Sequence, residues 1–535
     1  MACGLTKVDL TNIQGDIIIG LQKRYEAFWF CTLNSDPYSI ESFRQNLKSE
    51  LLPLISTTQD VIDTQKEIDE YKRTPRYGEA KKMLPITHVN IGFSYSGLKK
   101  LGLKTEEIPT GANEIFSKGQ KSDALTNLGD PVDQQTKELK TWSEDFLDDT
   151  YPIDFVVLVT APDLNLLNQK LRVVQQTFDR TISSSFLRRG NVRPGRNFGH
   201  EHFGYKVECL FGPLSLSLTK QILPDSISRP KIAGVNARPK DKKAGIVEPG
   251  VILLGQPSAS GNTSKIDPHQ AWTKDGSFMV FRELQQLVPE FQTFCDEAAE
   301  KLQNSSISSD HIGARIVGRW KSGAPLSLAP NKDNPALNSA QDFDYSDELK
   351  QERCPYASHV RKTNPRNGAE AIADAQKKIL PHLMVRNGIP YGSPHWMFRS
   401  QNRMMSARAR SRTHRRRVIH DENKRKSCQI DQGFQLVQEA WCNNPRFPER
   451  VAANLVKPVT NQRALLIILF QRRVPLTHLL YHVSKILTLY YTPQGPAGGT
   501  DPNNVVTAFQ PFVIPLGGEY FLMPSIKAIT EKLGL

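Results

Sequence analysis

The chain has 535 residues, 39% of them hydrophobic and 8% aromatic, enough to bury a sizeable core and to build two or three domains. Its net charge of +14 raises the question of nucleic acid, but 11 Lys and Arg stand against only Asp421 and Glu422 between Met397 and Gln429, so the basic character is local. No window approaches the roughly 20 uninterrupted apolar residues of a spanning helix, and the nearest, Ala464 to Phe470, runs at once into Gln471, Arg472 and Arg473.

In chain order, Ala27 to Leu33 reads as a buried strand, and Ile40 to Leu52 spaces Phe43, Leu47 and Leu51 as a helical stripe. His88 to Phe93 and Gly97 to Leu103 repeat the order, strand then short helix, and a long polar loop follows over Thr105 to Ser143. Asp154 to Thr160 is a strand of continuous apolar type, and Asp163 to Phe178 puts Leu166, Leu167, Leu171, Val174 and Phe178 on one helical face. This is a split βαβ pattern on an antiparallel sheet. From about Ser183 a Gly/Arg/Asn-rich linker opens a second half, in which Gly276 to Arg282 predicts a strand, Glu283 to Leu302 a helix, His382 to Arg386 a short strand and Phe434 to Trp441 a helix. Phe512 to Ile526 predicts two short strands around Gly517 and Gly518, closed by a terminal helix to Leu535. The expectation is two α+β halves, 1–182 and 183–535.

Seven cysteines without a C-x-x-C pair suggest neither a disulfide framework nor a zinc site. The N-terminus, MACGLTKVDLTNIQGD, has no basic stretch followed by an apolar one, which reads as a cytoplasmic protein; secretion is the alternative if the N-terminus is incomplete.

Cys354 to Arg366, CPYASHVRKTNPR, sets one histidine, His359, among basic residues and turn formers. A lone imidazole is ordinarily structural, satisfied by a backbone carbonyl. This one stands in a chain that also carries GHEHFGY at Gly199 to Tyr205, MVRNGIPYG at Met384 to Gly392, NIQGDI at Asn12 to Ile17, GRWKSGAP at Gly318 to Pro325 and NPALNSAQDFDYSDE at Asn334 to Glu348. Together these segments, spread over most of the chain, resemble the dye-decolorizing peroxidase family of haem enzymes, its fungal members in particular.

The resemblance implies two ferredoxin-like domains with antiparallel sheets, like a dimeric α/β barrel, with one haem b per chain in the second. It makes His359 the axial ligand of the haem iron. It sets Arg361 and Arg366 in a cationic neighbourhood suited to the propionates, and His202 on the haem side of the site. His200 and His202 alone, two residues apart, are a weak metal pair. Distal chemistry needs a carboxylate to move a proton and an arginine to stabilise charge as the O–O bond breaks. Arg386 fits the arginine, with Asn387 an ordinary variation beside it.

The acid is where this chain departs from the family pattern. After Gly204, Tyr205 and Lys206 the family runs into its aspartate, but here Val207 stands in that place and VECLFGPLSLSLTKQILP intervenes before Asp225. Removing Val207 to Pro224 restores GYKDSISRP and brings Asp225 to the distal position. Two readings stand: translated intron, or a genuine inserted loop from which Asp225 returns to the pocket. Glu208 is the weaker substitute. Segment 397–429 is a second departure, lacking the apolar alternation of the family's distal strand. It reads as aberrant or disordered, leaving a sheet edge unpaired, with a nucleic-acid patch as the rival. Segment 462–493, apolar but broken by Pro475, is a third.

The function expected is reduction of hydrogen peroxide with one-electron oxidation of bulky phenolic or dye-like donors. The alternatives are a catalytically impaired haem-binding protein and a basic nucleic-acid-binding protein. No nucleic-acid partner and no transmembrane segment are expected, and a homo-oligomer is compatible with the resemblance.

Overall fold

The computed structural model describes residues 8–74, 83–110, 114–206, 230–233, 235, 246–257, 267–301, 307–338, 340, 343, 345, 347–348, 353–355, 358–364, 366, 380–392, 419–427, 430–438, 489–490, 505–506 and 511–535. Eight of its strands form one antiparallel sheet: β1 (Tyr25–Leu33), β2 (His88–Phe93), β3 (Phe155–Ala161), β4 (Ile182–Asn191), β5 (Ser277–Gln286), β6 (Val385–Tyr391), β7 (Ile419–Ser427) and β8 (Val513–Met523). Their spatial order is β4-β1-β3-β2-β8-β5-β7-β6. The first four come from the N-terminal part of the chain and the last four from the remainder, so two ferredoxin-like halves share one sheet. They join where Leu522 of β8 meets Phe93 of β2. The sheet curls until its outer strands meet: a Cβ placed on Gly190 of β4 would lie 2.2 Å from Cγ2 of Ile389 on β6, so only glycine allows that approach.

Aromatic residues at alternate positions fill the inside of the curl. Phe28 and Phe30 of β1 stand 5.1 and 4.9 Å from Phe281 of β5, and Phe186 of β4 stacks on Phe30 at 4.8 Å. Burying each such ring is worth about 1.5–3 kcal/mol, so this cluster holds the two halves together as well as each one internally. Helices cover the outside. Asp36 caps α1 (Pro37–Asn46) by accepting from Ser39 N at 2.9 Å, and Asp163 caps α2 (Leu164–Phe178) by accepting from Leu166 N at 2.9 Å. In the second half, α3 (Val288–Lys301) packs through Phe291 on Phe512, and α4 (Ser309–Val317) ends at Gly318 in the left-handed conformation. The C-terminal turn crosses back to the first half, where Arg44 Nη1 donates to the carbonyls of Leu533 and Leu535 at 3.1 and 2.9 Å.

Most expected elements are present within a few residues, and the differences have physical causes. The linker expected from Ser183 begins as β4, whose Phe186 packs on Phe30 while Arg188 pairs with Glu283 and Asp145. The polar composition there reflects a strand with satisfied charges. Within the expected loop, Ile115–Asp123 is helical. Glu283 to Gln286 extend β5 rather than opening a helix. Gly517 and Gly518 do not separate two strands: β8 is one strand with a register shift between Pro515 and Gly517. A side chain at Gly517 would strike Phe146.

The largest correction concerns the basic segment. Ile419–Ser427 is β7, paired with β5 from Gln286↔Ile419 to Phe278↔Ser427 and with β6 from Tyr391↔His420 to Val385↔Lys426. The expected unpaired edge is therefore filled. Ladder hydrogen bonds come from the backbone, so a strand flanked on both sides forms without the apolar alternation used to find strands in sequence. Residues 393–418 and 428–429, the inserted stretch 207–224 and nearly all of 462–493 lie outside the described residues.

Candidate functional site

His359 is the first residue of a short helix, α5 (His359–Thr363), and is completely buried. The helix is fixed at both ends. Ser358 precedes it with its hydroxyl 3.0 Å from the Cys354 thiol, and Thr363 Oγ1 donates to the His359 carbonyl at 2.9 Å. Gly318, at φ +89°, lets α4 and α5 cross, since a Cβ there would stand 3.0 Å from both Ser358 Oγ and Val360 Cβ. Burial pushes the Cys354 thiol above its ordinary value, so it serves as packing rather than as a nucleophile.

Arg361, expected among the propionate-facing cations, has an internal anion. Its Nη1 donates to Glu348 Oε2 at 3.2 Å and to the Cys354 carbonyl at 2.6 Å, and its Nη2 to the Glu348 carbonyl at 2.7 Å. Glu348 Oε1 accepts from the backbone N–H groups of Arg353 and Cys354, which ties the loop before His359 to the same ion pair. The guanidinium also lies 4.5 Å above the ring of Tyr345. Two arginines, Arg366 at 3.8 Å and Arg319 at 5.3 Å, sit over Phe343 in the same way. Arg366 additionally donates from Nη1 to the Phe343 carbonyl at 2.7 Å and takes φ +45°. Sequence reasoning found Arg361 and Arg366 but neither Arg319 nor Glu348, although both lie in motifs that carry the resemblance.

Arg386 lies on β6 and is 1% exposed. Backbone register sets it opposite Arg425 of β7. His202, expected on the haem side, is buried and its Nε2 donates to the carbonyl of Tyr391 at 3.1 Å, so the GHEHFG loop is tied to the end of the strand that carries Arg386. Glu201 beside it is the buried carboxylate of this loop, and burial raises its pKa. It is nevertheless fully engaged, accepting from Phe203 N at 2.7 Å, Tyr205 N at 2.8 Å and Gln286 Nε2 at 2.7 Å. A carboxylate held by three donors organises its loop and is a poor proton carrier. Asp225, Val207 and Glu208 lie outside the described residues.

These side chains suit a haem. Porphyrin brings four nitrogen ligands of its own, so the protein must add one axial donor and a shielded face. His359 is a single, fully buried imidazole, and buried arginines accompany it. Among the described residues no group of three or more His, Cys, Asp and Glu is arranged to hold a bare metal ion. Nor is any helix among them long and apolar enough to cross a membrane.

Comparison with known proteins agrees with this fold. Residues 12–194 match the family described as the DyP dimeric alpha+beta barrel domain. A dye-decolorizing peroxidase of Mycetinis scorodonius is 30% identical over 99% of this chain and 88% of its own length. Among solved structures, an ancestral D-type dye-decolorizing peroxidase superposes with a TM-score of 0.75 at 32% identity, covering 99% of this chain and 100% of that one. A dye-decolorizing peroxidase in complex with 2,6-dimethoxyphenol gives 0.69 at 31% identity with the same coverage. With a curled antiparallel sheet and similarity along nearly its whole length, this chain belongs to the dye-decolorizing peroxidase family.

Proposed function

We propose that one haem b would be held in the second ferredoxin-like half, where His359 would be the ligand of its iron and Arg386 and Asp225 would serve the opposite side of the site. The observation that carries the reading is the complete burial of His359 and Arg386 in a member of this family. The enzyme is a haem peroxidase that reduces hydrogen peroxide to water and takes one electron from each of two phenolic or dye-like donors. Haem, when bound, supplies the iron at which the O–O bond breaks. The chain's own residues supply the rest. The imidazole of His359 is shielded from solvent, so its lone pair is not lost to water. Arg386 stabilises the negative charge that grows on the departing oxygen, an interaction strengthened by burial. Asp225 would be the carboxylate that accepts a proton from the peroxide and gives it back as the bond breaks. Arg366 is the better candidate for a propionate, because Arg361 already faces Glu348.

One observation favours a second reading, a haem-binding protein with impaired catalysis: Val207 occupies the place of the acid in the interrupted motif. A nucleic-acid role is not favoured, since Lys424, Arg425 and Lys426 stand inside a strand paired on both sides. The test is to reconstitute the full chain and a form lacking 207–224 with haem and mix each with peroxide and 2,6-dimethoxyphenol. Turnover by both identifies a genuine loop with a working acid; turnover only by the shortened form identifies the impaired reading. Haem binding with turnover by neither would defeat the peroxidase assignment for this gene product.

A further inference from the structure

NIQGDI at residues 12–17 has no part in the chemistry above, yet the structure gives each of its polar side chains a distant partner. Asn12 reaches Asp275 and the backbone of Lys527, and Gln14 reaches the backbone of Ile91 and Pro524. Asp16 reaches the strand that carries Arg386. Fully buried, it lies against β6, where Asn387 Nδ2 donates to both its carbonyl and its Oδ1 at 3.0 Å. Its own backbone N–H donates to Asn90 Oδ1 on β2 at 2.8 Å, so it is held by the first half of the sheet while it holds the second.

Asn387 is the residue after Arg386. Consecutive strand residues point to opposite faces, so pinning the carboxamide of Asn387 on the inner side fixes the pleat that directs Arg386 to the outer side. A one-residue slip of β6 would exchange the two. The far end of the strand is held as well, since the Tyr391 hydroxyl donates to Glu283 and the Tyr391 carbonyl accepts from His202. We infer that Asp16 is a positioning residue for the distal arginine, acting through Asn387. The inference rests on Arg386 serving the distal face.

Fluoride bound to the ferric holoprotein is an anion that a distal guanidinium stabilises, so its affinity reports where that guanidinium sits without requiring turnover. Asp16→Ala is expected to weaken fluoride about fivefold, and to have no further effect in an Arg386→Leu background. A charge exchange guards against simple misfolding. Asn387→Asp alone sets two carboxylates together and weakens fluoride, and adding Asp16→Asn restores the side-chain donor–acceptor pair, though not the bond to the backbone carbonyl at position 16, and with it part of the affinity. In the haem-free chain, amide exchange over 385–391 rises in Asp16→Ala while exchange over 25–33 does not. Equal fluoride loss with and without Arg386, no restoration by the exchanged pair, or unchanged exchange over 385–391 overturns the inference. If the unaltered chain takes up no haem, it is the peroxidase reading that falls, and the exchange measurement alone decides whether Asp16 braces the strand.

Discussion

The segment around His359 and the strand around Arg386 are built in opposite ways. The ties described for the first are local: Arg361 reaches Glu348 13 residues back and Cys354 seven back, and Arg366 reaches Phe343 23 back. The strand is held from across the chain. Asn387 contacts Asp16 at a separation of 371 residues, Tyr391 contacts His202 at 189 and Glu283 at 108. A locally built site can be recognised in a short motif and stands or falls as a unit. A site assembled from distant strands depends on the whole sheet, and its defects are graded.

The all-or-none side of that contrast is broken most directly at the iron ligand. His359→Ala is expected to abolish stable haem uptake, read as loss of the haem absorption band after reconstitution and gel filtration. Retention of a full complement of haem by this variant would show that another side chain is the ligand. Next in size is the ion pair beneath it. Glu348→Leu leaves the buried Arg361 guanidinium without its anion, and removing one partner of a buried pair costs about 3–5 kcal/mol. The expected outcome in chemical denaturation is a loss near the middle of that range, with the double variant Glu348→Leu/Arg361→Met recovering part of it. A loss under about 1 kcal/mol would place the pair in the class of solvated bridges.

The same contrast explains how much was legible before the structure. CPYASHVRKTNPR and RNGIPYG pointed to His359 and Arg386 because each role is carried by one residue in a short frame. Glu348 and Asp16 were missed because their importance lies in a partner that no local pattern reveals. Strands with apolar runs, such as His88–Phe93, were found with their ends intact. β4 and β7 were not, because charged residues that pair across the sheet or sit in a doubly flanked strand look like linker in one dimension. Periodicity reports side-chain burial, whereas the ladder itself is made by the backbone.

The graded side is tested at the arginine. Arg386→Leu should keep haem binding and lower kcat/KM for peroxide by about 10²–10³, the usual loss when one electrostatic donor to a developing charge is removed. Arg386→Lys should recover part of it, because the charge returns without the planar fork. The separation of binding from turnover is what distinguishes this position from His359. If Arg386→Leu lost haem as completely as His359→Ala, the two regions would not differ in kind.

The smallest effect concerns the frame that both regions share. His88 opens β2 in the sheet interior, its Nδ1 2.9 Å from Ser56 Oγ and its Nε2 buried without a partner among the described residues. Burial lowers its pKa from 6.5 to about 4, with Asp60 opposing. A base depressed in this way contributes stability that is present above the unfolded value of 6.5 and is lost as pH falls toward 4, because the unfolded chain takes up the proton first. The difference corresponds to about 3 kcal/mol. Glu519, pushed up to about 7 by burial, has the opposite sign, its contribution being lost as pH rises from 4.5 through 7. Glu519 is present in both the unaltered chain and a His88→Gln variant, so the difference between the two isolates the histidine. The unaltered chain should lose about 3 kcal/mol more than the variant between pH 6.5 and 4, measured by urea unfolding of the haem-free protein, and parallel curves would mean that His88 is hydrated in solution.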